Sequence, residues 1–122
     1  MQLTPGQVLD QLHRVHGDLS AAQRLLAKAR DGEVDAAEAL RMARARVMLS
    51  GDCPRPKRGE NGVTVADRDV YVDQQVAVER RAADAAEAYR KSAEDHLRVV
   101  RDQASVVQSM SALMRAEMQL TT

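Results

Sequence analysis

Apolar residues recur at alternating steps of four and three along nearly the whole chain, and this period constrains the fold more than any other feature. In the first half, the stripe comprises Val8, Leu12, Val15, Leu19, Ala22, Leu26, Ala29, Glu33, Ala36, Leu40, Ala43 and Val47. In the second half, it comprises Val72, Val76, Glu79, Ala82, Ala86, Tyr89, Ala93, Leu97, Val100, Ala104, Val107, Ser111, Met114 and Met118. A mean repeat of about 3.5 residues is typical of helices that pack side by side at a shallow angle. The sequence therefore predicts two long helices.

The first helix has a clear start and two candidate ends. Thr4 can cap it, and Gln7 stands where a capping box places its returning side chain. Gly17 and Gly32 each carry the local signal of a helix end. The apolar stripe nevertheless continues in phase across both glycines. This phase favours a single helix over about 4–49, weakest near the second glycine.

The second helix is predicted to begin where Thr64 can act as the cap, with Asp67 three residues further on. No proline or glycine follows Gly62, so the helix is predicted to run unbroken over about 64–119. Between the two helices, residues 50–63 hold two of the three prolines and the only cysteine, and they are predicted to form a loop.

Two such stripes joined by a loop predict an all-α fold, a long antiparallel helical hairpin that assembles with other copies into an oligomeric bundle. If Leu49 is set beside Thr64, the two residue numbers of each facing pair add to about 113. The part of the second helix after about Gln108 would then extend past Pro5 with no neighbour from its own chain. The same pairing places Arg44 and Arg46 opposite Asp69 and Asp67.

The composition is that of a single helical domain, assigned to residues 1–122. Positive and negative residues balance at 18 each, so the net charge gives no reason to expect nucleic acid or an anionic membrane as a partner. With no Phe, no Trp and two Tyr, the chain cannot build a thick core. No stretch approaches the roughly 18 apolar residues of a membrane span, and no basic leader is recognised, so a cytoplasmic location is expected.

No arrangement of residues in the sequence is typical of an enzyme, so we expect no catalytic residues, no metal and no cofactor. A Ser-His-Asp order, a phosphate-cradling glycine loop and a nucleotide fingerprint are all absent. His13, His16 and His96 lie close together in the predicted pairing, but they are interpreted as polar residues flanking the seam rather than as metal ligands. Cys53 fits a reducing compartment and is interpreted as an unused thiol.

The loop carries three cations, Arg55, Lys57 and Arg58, for which the predicted pairing offers no acidic partner. A basic loop of this kind can bind phosphates, so the three residues are candidate phosphate ligands. A solvated charged connector is the favoured interpretation, because the arginines of the neighbouring helix are neutralised across the hairpin. In addition, no aromatic side chain nearby offers a surface on which bases could stack.

The carboxy-terminal segment of the second helix carries more apolar residues than one neighbour can cover. Beside the main stripe, apolar residues recur at sevens from residue 99 to residue 120, which widens the apolar face. Methionines in this segment suit an adaptable contact surface. Fraying of the helix end with incidental apolar residues is the alternative. The favoured prediction is an oligomer or partner interface comprising Val99, Val106, Met110, Leu113, Met114, Met118 and Leu120.

Three segments of the chain, ALRMARARVML, TVADRD and VVRDQASVVQSMSALMRAEM, resemble the small helical proteins that tailed phages of actinobacteria encode in their early regions. These genes often lie near genes for replication and recombination. Such proteins carry an aromatic residue near the end, where this chain has Met118, and a shorter loop than SGDCPRPKRGENG. The resemblance implies a phage origin, action inside the bacterial host cell, and a link to phage DNA metabolism or to a host protein.

Two functions from different classes remain open at the level of the sequence. The favoured hypothesis is a non-enzymatic interaction protein that forms a homo-oligomer and binds a phage or host protein. The alternative is a nucleic-acid-binding accessory factor that contacts phosphates through Arg55, Lys57 and Arg58. Salt separates the two hypotheses, because phosphate binding weakens steeply as the salt concentration rises, whereas an apolar protein contact does not.

Overall fold

The computed structural model describes residues 4–59 and 62–121, and all regular secondary structure within these ranges is helical. Helix α1 spans Pro5–Leu49, α2 spans Val65–Gln75 and α3 spans Ala77–Thr121. The long α1 packs against the long α3, which returns in the opposite direction. The predicted all-α helical hairpin is therefore confirmed.

Helix α1 begins at the predicted cap and continues through both glycines. The Thr4 backbone N–H donates to Gln7 Oε1 at 2.9 Å, and the Gln7 backbone N–H donates to Thr4 Oγ1 at 3.2 Å. Gly17 and Gly32 are both helical, and a Cβ at either position would meet open space. Each glycine costs about 1 kcal/mol relative to alanine in a helix. Packing of the apolar stripe outweighs that cost, because every stripe residue of α1 is at least half-buried.

The returning chain differs from the predicted single helix at Val76, which lies between α2 and α3 with φ −106° and ψ 21°. The Val76 backbone N–H still donates to the Val72 carbonyl at 3.0 Å, and the Arg80 N–H donates to the Val76 carbonyl at 2.9 Å. The interruption is therefore one residue long and leaves both hydrogen bonds intact. Neither proline nor glycine lies there, and Val76 is 1% exposed, so the interruption is buried and has no marker in the sequence.

On the returning chain, the residues that face α1 recur in sevens, whereas the predicted stripe departed from that period at two positions. Counting sevens from Val76 leads to Ala83 and Arg90, and both are half-buried. Ala82 and Tyr89, which were predicted to face α1, are exposed instead. Arg90 is accommodated because its guanidinium forms an ion pair with Glu94 at 3.1 Å. The prediction was wrong at these two positions because it chose the more apolar residue over the exact period of seven.

The chain divides into two compact units, each of which pairs a part of α1 with a part of the returning chain. The terminal unit comprises the described residues of Met1–Ala29 and Arg90–Thr122. Its core is a cluster of six buried residues with two half-buried leucines packed against it: Ala22, Leu26, Ala29, Ala93, Leu97 and Val100, with Leu19 and Leu25. The loop unit comprises the described residues of Arg30–Tyr89, and its buried apolar residues are Ala43, Cys53, Val72 and Val76.

In the loop unit, the pairing of the helices differs from the prediction by about one turn. Arg44 was expected opposite Asp69, but its guanidinium lies 3.7 Å from the Asp73 carboxylate, four residues further along. Asp69 instead pairs with Arg68 at 3.4 Å. Asp67, which was expected opposite Arg46, caps α2. The ion pair of Arg44 with Asp73 does not follow the assumption that Leu49 lies beside Thr64.

The loop is folded rather than extended. The Lys57 backbone N–H donates to the Val63 carbonyl at 3.0 Å, and the Gly62 N–H donates to the Gly59 carbonyl at 3.2 Å. Gly59 has a φ of 138°, a conformation that side chains oppose. A Cβ on Gly62 would lie 2.5 Å from the Lys57 carbonyl oxygen. Cys53 is 6% exposed and therefore anchors the start of this loop as a small apolar residue.

Candidate functional site

The outer side of α3 in the terminal unit carries a second heptad stripe, here called the outer stripe. Leu97, Val100 and Ala104 are buried on the inner side of the helix. A helix turns about 100° per residue, so a residue that lies one position before one of these buried residues and two positions after another, as Val99 does, faces away from α1. The outer stripe comprises Val99, Gln103, Val106, Met110, Leu113, Glu117 and Leu120.

Four of the predicted interface residues are large apolar side chains exposed along the outer stripe. Val99 is 54% exposed, Val106 60%, Leu113 67% and Leu120 88%. Met110 lies between them and is half-buried. An apolar row of this length along one helix marks a surface that proteins normally cover. The structure therefore brings these five predicted residues onto one face.

A shallow depression of about 380 Å³ lies at the amino-terminal end of the outer stripe. It is lined by Val99, Asp102, Gln103, Val106 and Val107. Most of the lining consists of valine methyl groups, and Asp102 and Gln103 supply the polar groups. A depression of this kind can receive an apolar side chain of a partner, with an amide and a carboxylate at its edge to hold polar groups.

The other two predicted interface residues occupy a different place. Met114 and Met118 lie with Pro5, Val8 and Leu12 around a groove of about 150 Å³ between α3 and the first turns of α1. The expectation that the helix after Gln108 extends past Pro5 without a neighbour was therefore wrong. In the terminal unit, the first turns of α1 therefore lie alongside this segment. Met114 is half-buried there, and Met118 is 51% exposed.

The three loop cations, Arg55, Lys57 and Arg58, are all exposed. None of them forms an ion pair within residues 4–59 and 62–121. Asp73, by contrast, binds two arginines at the edge of this region, Arg44 at 3.7 Å and Arg80 at 3.3 Å. Arg44 is thus neutralised, although by Asp73 rather than by the predicted Asp69.

The predicted cap of α2 is present and has an electrostatic consequence. The Thr64 backbone N–H donates to Asp67 Oδ2 at 3.0 Å, and the Asp67 N–H donates to Thr64 Oγ1 at 3.1 Å. Hydrogen bonding from the Thr64 backbone, and secondarily from its side chain, lowers the pKa of the Asp67 carboxyl below its ordinary value. This interaction stabilises the start of α2 and holds the Asp67 carboxylate in the capping box.

The histidines and the cysteine do not form a metal site in the described part of the chain. His13, His16 and His96 are exposed, and no group of three metal-ligating side chains occurs among the residues searched. The Cys53 thiol donates to the Pro54 carbonyl at 3.7 Å and is buried. No described helix has a stretch long and apolar enough to cross a membrane.

The buried core of the described residues is thin. Its largest fully buried side chains are Val72 and Val76. A chain with so little burial gains stability from any protein that covers its apolar faces.

Sequence reasoning overlooked two groups of residues. Gln103 and Glu117 belong to the outer stripe, and their heptad spacing from Met110 could have revealed them. Further exposed apolar residues lie in the loop unit outside either predicted stripe: Val34, Met42, Leu49, Val65, Val70 and Val78. Their irregular spacing in the sequence gave no signal.

Comparisons of the chain with protein-family models, with curated protein sequences and with solved structures found no match.

Proposed function

We propose that this chain is a non-enzymatic interaction protein that works as an assembly, with protein covering the outer stripe of α3. The observation that carries the proposal is the row of exposed apolar side chains from Val99 to Leu120. A helix that presented this face to water alone would expose several large side chains, each worth about 1.5–3 kcal/mol on full burial. Association removes that exposure.

The thin core supports self-association as the first step. Five of the twelve buried apolar residues in the described part of the chain are alanines, which bury little area each. Covering the exposed apolar side chains of the outer stripe by a second copy would add the burial that this core lacks.

A second protein is the proposed target of the assembly. Exposed apolar residues of the loop unit, such as Val34, Met42 and Val70, lie outside the outer stripe and stay available after self-association. The resemblance to early-region proteins of actinobacterial phages suggests a phage or host protein in the cytoplasm of the bacterial cell, with a connection to phage DNA metabolism.

The test places charges in the outer stripe. Val106→Asp with Leu113→Asp should convert the assembly to monomers, because two apolar contacts per chain are lost and each carboxylate would have to be desolvated. The matched control is Ser105→Asp with Ala112→Asp, which adds the same charges one position earlier on exposed sites of the same helix. Light scattering after size-exclusion chromatography measures the mass of all three proteins.

Equal masses for the wild type, the stripe variant and the control would contradict the proposal. Circular dichroism confirms that each variant keeps its helices. Loss of helicity in the stripe variant alone, with the control unaffected, would indicate that folding requires the association.

A second candidate function is nucleic-acid binding by the loop, and the exposure of Arg55, Lys57 and Arg58 without an ion pair in the described ranges favours it. Self-association would multiply these cations. Replacement of all three by Ser should leave helicity and mass unchanged. If the loop binds phosphates, the replacement abolishes DNA binding and the wild-type affinity falls steeply with salt; if it is a connector, no salt-dependent binding is found in either protein.

A further inference from the structure

The spacing of the outer stripe continues along α3 from Val99 toward the start of the helix. Counting back from Val99 by alternating steps of three and four gives six further positions, and the residues at all of them are exposed: His96, Ser92, Tyr89, Ala85, Ala82 and Val78. These six residues and the outer stripe are here called the α3 seam. The α3 seam runs over residues 78–120, which is nearly the whole of Ala77–Thr121.

Charged residues lie beside the α3 seam and are almost absent from it. With His96 counted as neutral, Glu117 is the one charged residue of the seam, although charged residues make up 30% of the chain. Exposed charged residues occur instead at positions directly next to the seam: Arg81, Asp84, Lys91, Asp95, Arg98 and Asp102. A helix surface that contacts only water gains nothing by excluding charge, whereas the core of a protein interface is depleted of charged residues. The pattern therefore indicates that protein covers the whole seam.

The area that a stable dimer needs leads to the same conclusion. The outer stripe, from Val99 to Leu120, extends over about 32 Å of helix, and a contact between two helices is about 10 Å wide. Covering it would bury roughly 320 Å² on each copy, whereas stable interfaces bury roughly 600–1,000 Å² on each partner. The α3 seam, which begins at Val78, is about 63 Å long and offers roughly 630 Å². The outer stripe alone is too small, and the full seam reaches the required range.

We propose that α3 of a second copy covers the entire α3 seam, so that the interface also contains Val78, Ala82, Ala85, Tyr89, Ser92 and His96. This inference rests on the proposed function and extends its interface toward the start of α3. A seam of this length requires a partner helix nearly as long as α3, which has 45 residues. Helix α1 is equally long, but over residues 4–29 the only large apolar side chain that it exposes is Leu9. A two-fold contact between two α3 helices sets one seam against the other.

Tyr89 is the largest side chain in this extension of the interface. It is 53% exposed and is the only aromatic residue of α3. Tyrosine is enriched at interfaces because it combines a large apolar ring with a hydroxyl group. Its neighbours along the seam, Ala85 and Ser92, are small, so a partner helix can approach closely and contact the ring.

The extension is tested by placing charges in it. Ala85→Glu with Ser92→Glu should weaken dimerisation about tenfold or more, because two carboxylates per copy would have to be desolvated. The matched control is Ser105→Glu with Ala112→Glu, which changes the same residue types at the same spacing on exposed positions outside the seam. The control should change the dissociation constant by less than about threefold. Sedimentation equilibrium measures the dissociation constant of all three proteins, and circular dichroism confirms that each keeps its helices.

Equal dissociation constants for the Ala85 and Ser92 double variant and for its control would overturn the extension. If Val106→Asp with Leu113→Asp still produced monomers, the proposed function would stay in place and the interface would end at the outer stripe. A wild type that is monomeric at every concentration would overturn both the extension and the proposed self-association.

A single tryptophan reports burial of the seam directly. The chain contains no Trp, so Tyr89→Trp introduces one fluorophore in the seam and Ser105→Trp introduces one outside it. The emission of Tyr89→Trp should shift to shorter wavelength as the mass doubles with rising concentration, because the indole ring leaves water. The emission of Ser105→Trp should stay constant. An unchanged emission of Tyr89→Trp while its mass doubles would refute the placement of Tyr89 in the interface.

Discussion

Replacing Leu97 by Ala should destabilise the fold itself, whereas the same substitution at Leu113 should mainly weaken association. Leu97 is 5% exposed and packs in the core cluster of the terminal unit. Truncation of a leucine that is buried in this way to alanine lowers the free energy of unfolding by about 2–5 kcal/mol. Three of the five other buried residues of the cluster are alanines, whose short side chains cannot move into the space. The expected loss in the free energy of unfolding is therefore in the upper half of that range, about 3.5–5 kcal/mol.

Leu113→Ala is the matched control, because the residue type and helix are the same and only the burial differs. Leu113 is 67% exposed, so within a single chain it contributes about a third of the 1.5–3 kcal/mol of a fully buried leucine, roughly 0.5–1 kcal/mol. The rest of its contribution appears only when a second chain covers it. The effect of this control substitution should consequently grow with protein concentration, as mass action requires.

Urea unfolding followed by circular dichroism at several protein concentrations measures both effects. Leu97→Ala should lower the midpoint at every concentration, and Leu113→Ala should lower it more at concentrations at which the wild type is associated. Equal and concentration-independent losses for the two variants would refute the assignment of Leu97 to the core of the fold and of Leu113 to an interface.

Two further predictions concern the loop and the cap that follows it. Gly62→Ala should lower the free energy of unfolding by about 1–3 kcal/mol, because its Cβ would lie 2.5 Å from a backbone oxygen, while Gly51→Ala, in open space, should change it little in a thermal melt. Asp67→Asn should lower the melting temperature at neutral pH. A carboxylate whose pKa is lowered by folding stabilises the fold at pH values above its unfolded-state pKa, and this stabilisation is lost on protonation. The difference from the wild type should therefore vanish as the pH falls through and below the lowered pKa of Asp67. A difference that persists unchanged at low pH would contradict this role of the carboxylate.

The period of the apolar residues predicted the helices and their inner faces because it reflects the geometry of a single helix. Each α1 residue of the predicted stripe is at least half-buried. Both capping boxes were also predictable, since a cap depends on residues three apart, as with Thr4 and Gln7. Local and periodic features of this kind are contained in the chain itself.

The pairing of the helices was not predictable from the same pattern. A heptad stripe can slide along its neighbour and still bury apolar residues, so the period alone does not fix the alignment. The ion pair of Arg44 with Asp73 had no signal in the sequence. The interruption at Val76 is likewise not marked by a proline or a glycine.

The candidate interface was predictable in part for the same reasons. Exposure of Val99, Val106, Leu113 and Leu120 follows from their spacing relative to the buried residues of α3. The placement of Met114 and Met118 beside α1 depends on the alignment of the helices, which the period of the apolar residues does not fix.

Sedimentation equilibrium of the wild-type protein over a wide range of concentrations tests most directly whether the chain works as an assembly. We predict a mass of twice 13.4 kDa, or a larger multiple, at micromolar concentrations, with dissociation on dilution. A mass of 13.4 kDa at every concentration, with a cooperatively folded chain, would contradict self-association through the outer stripe.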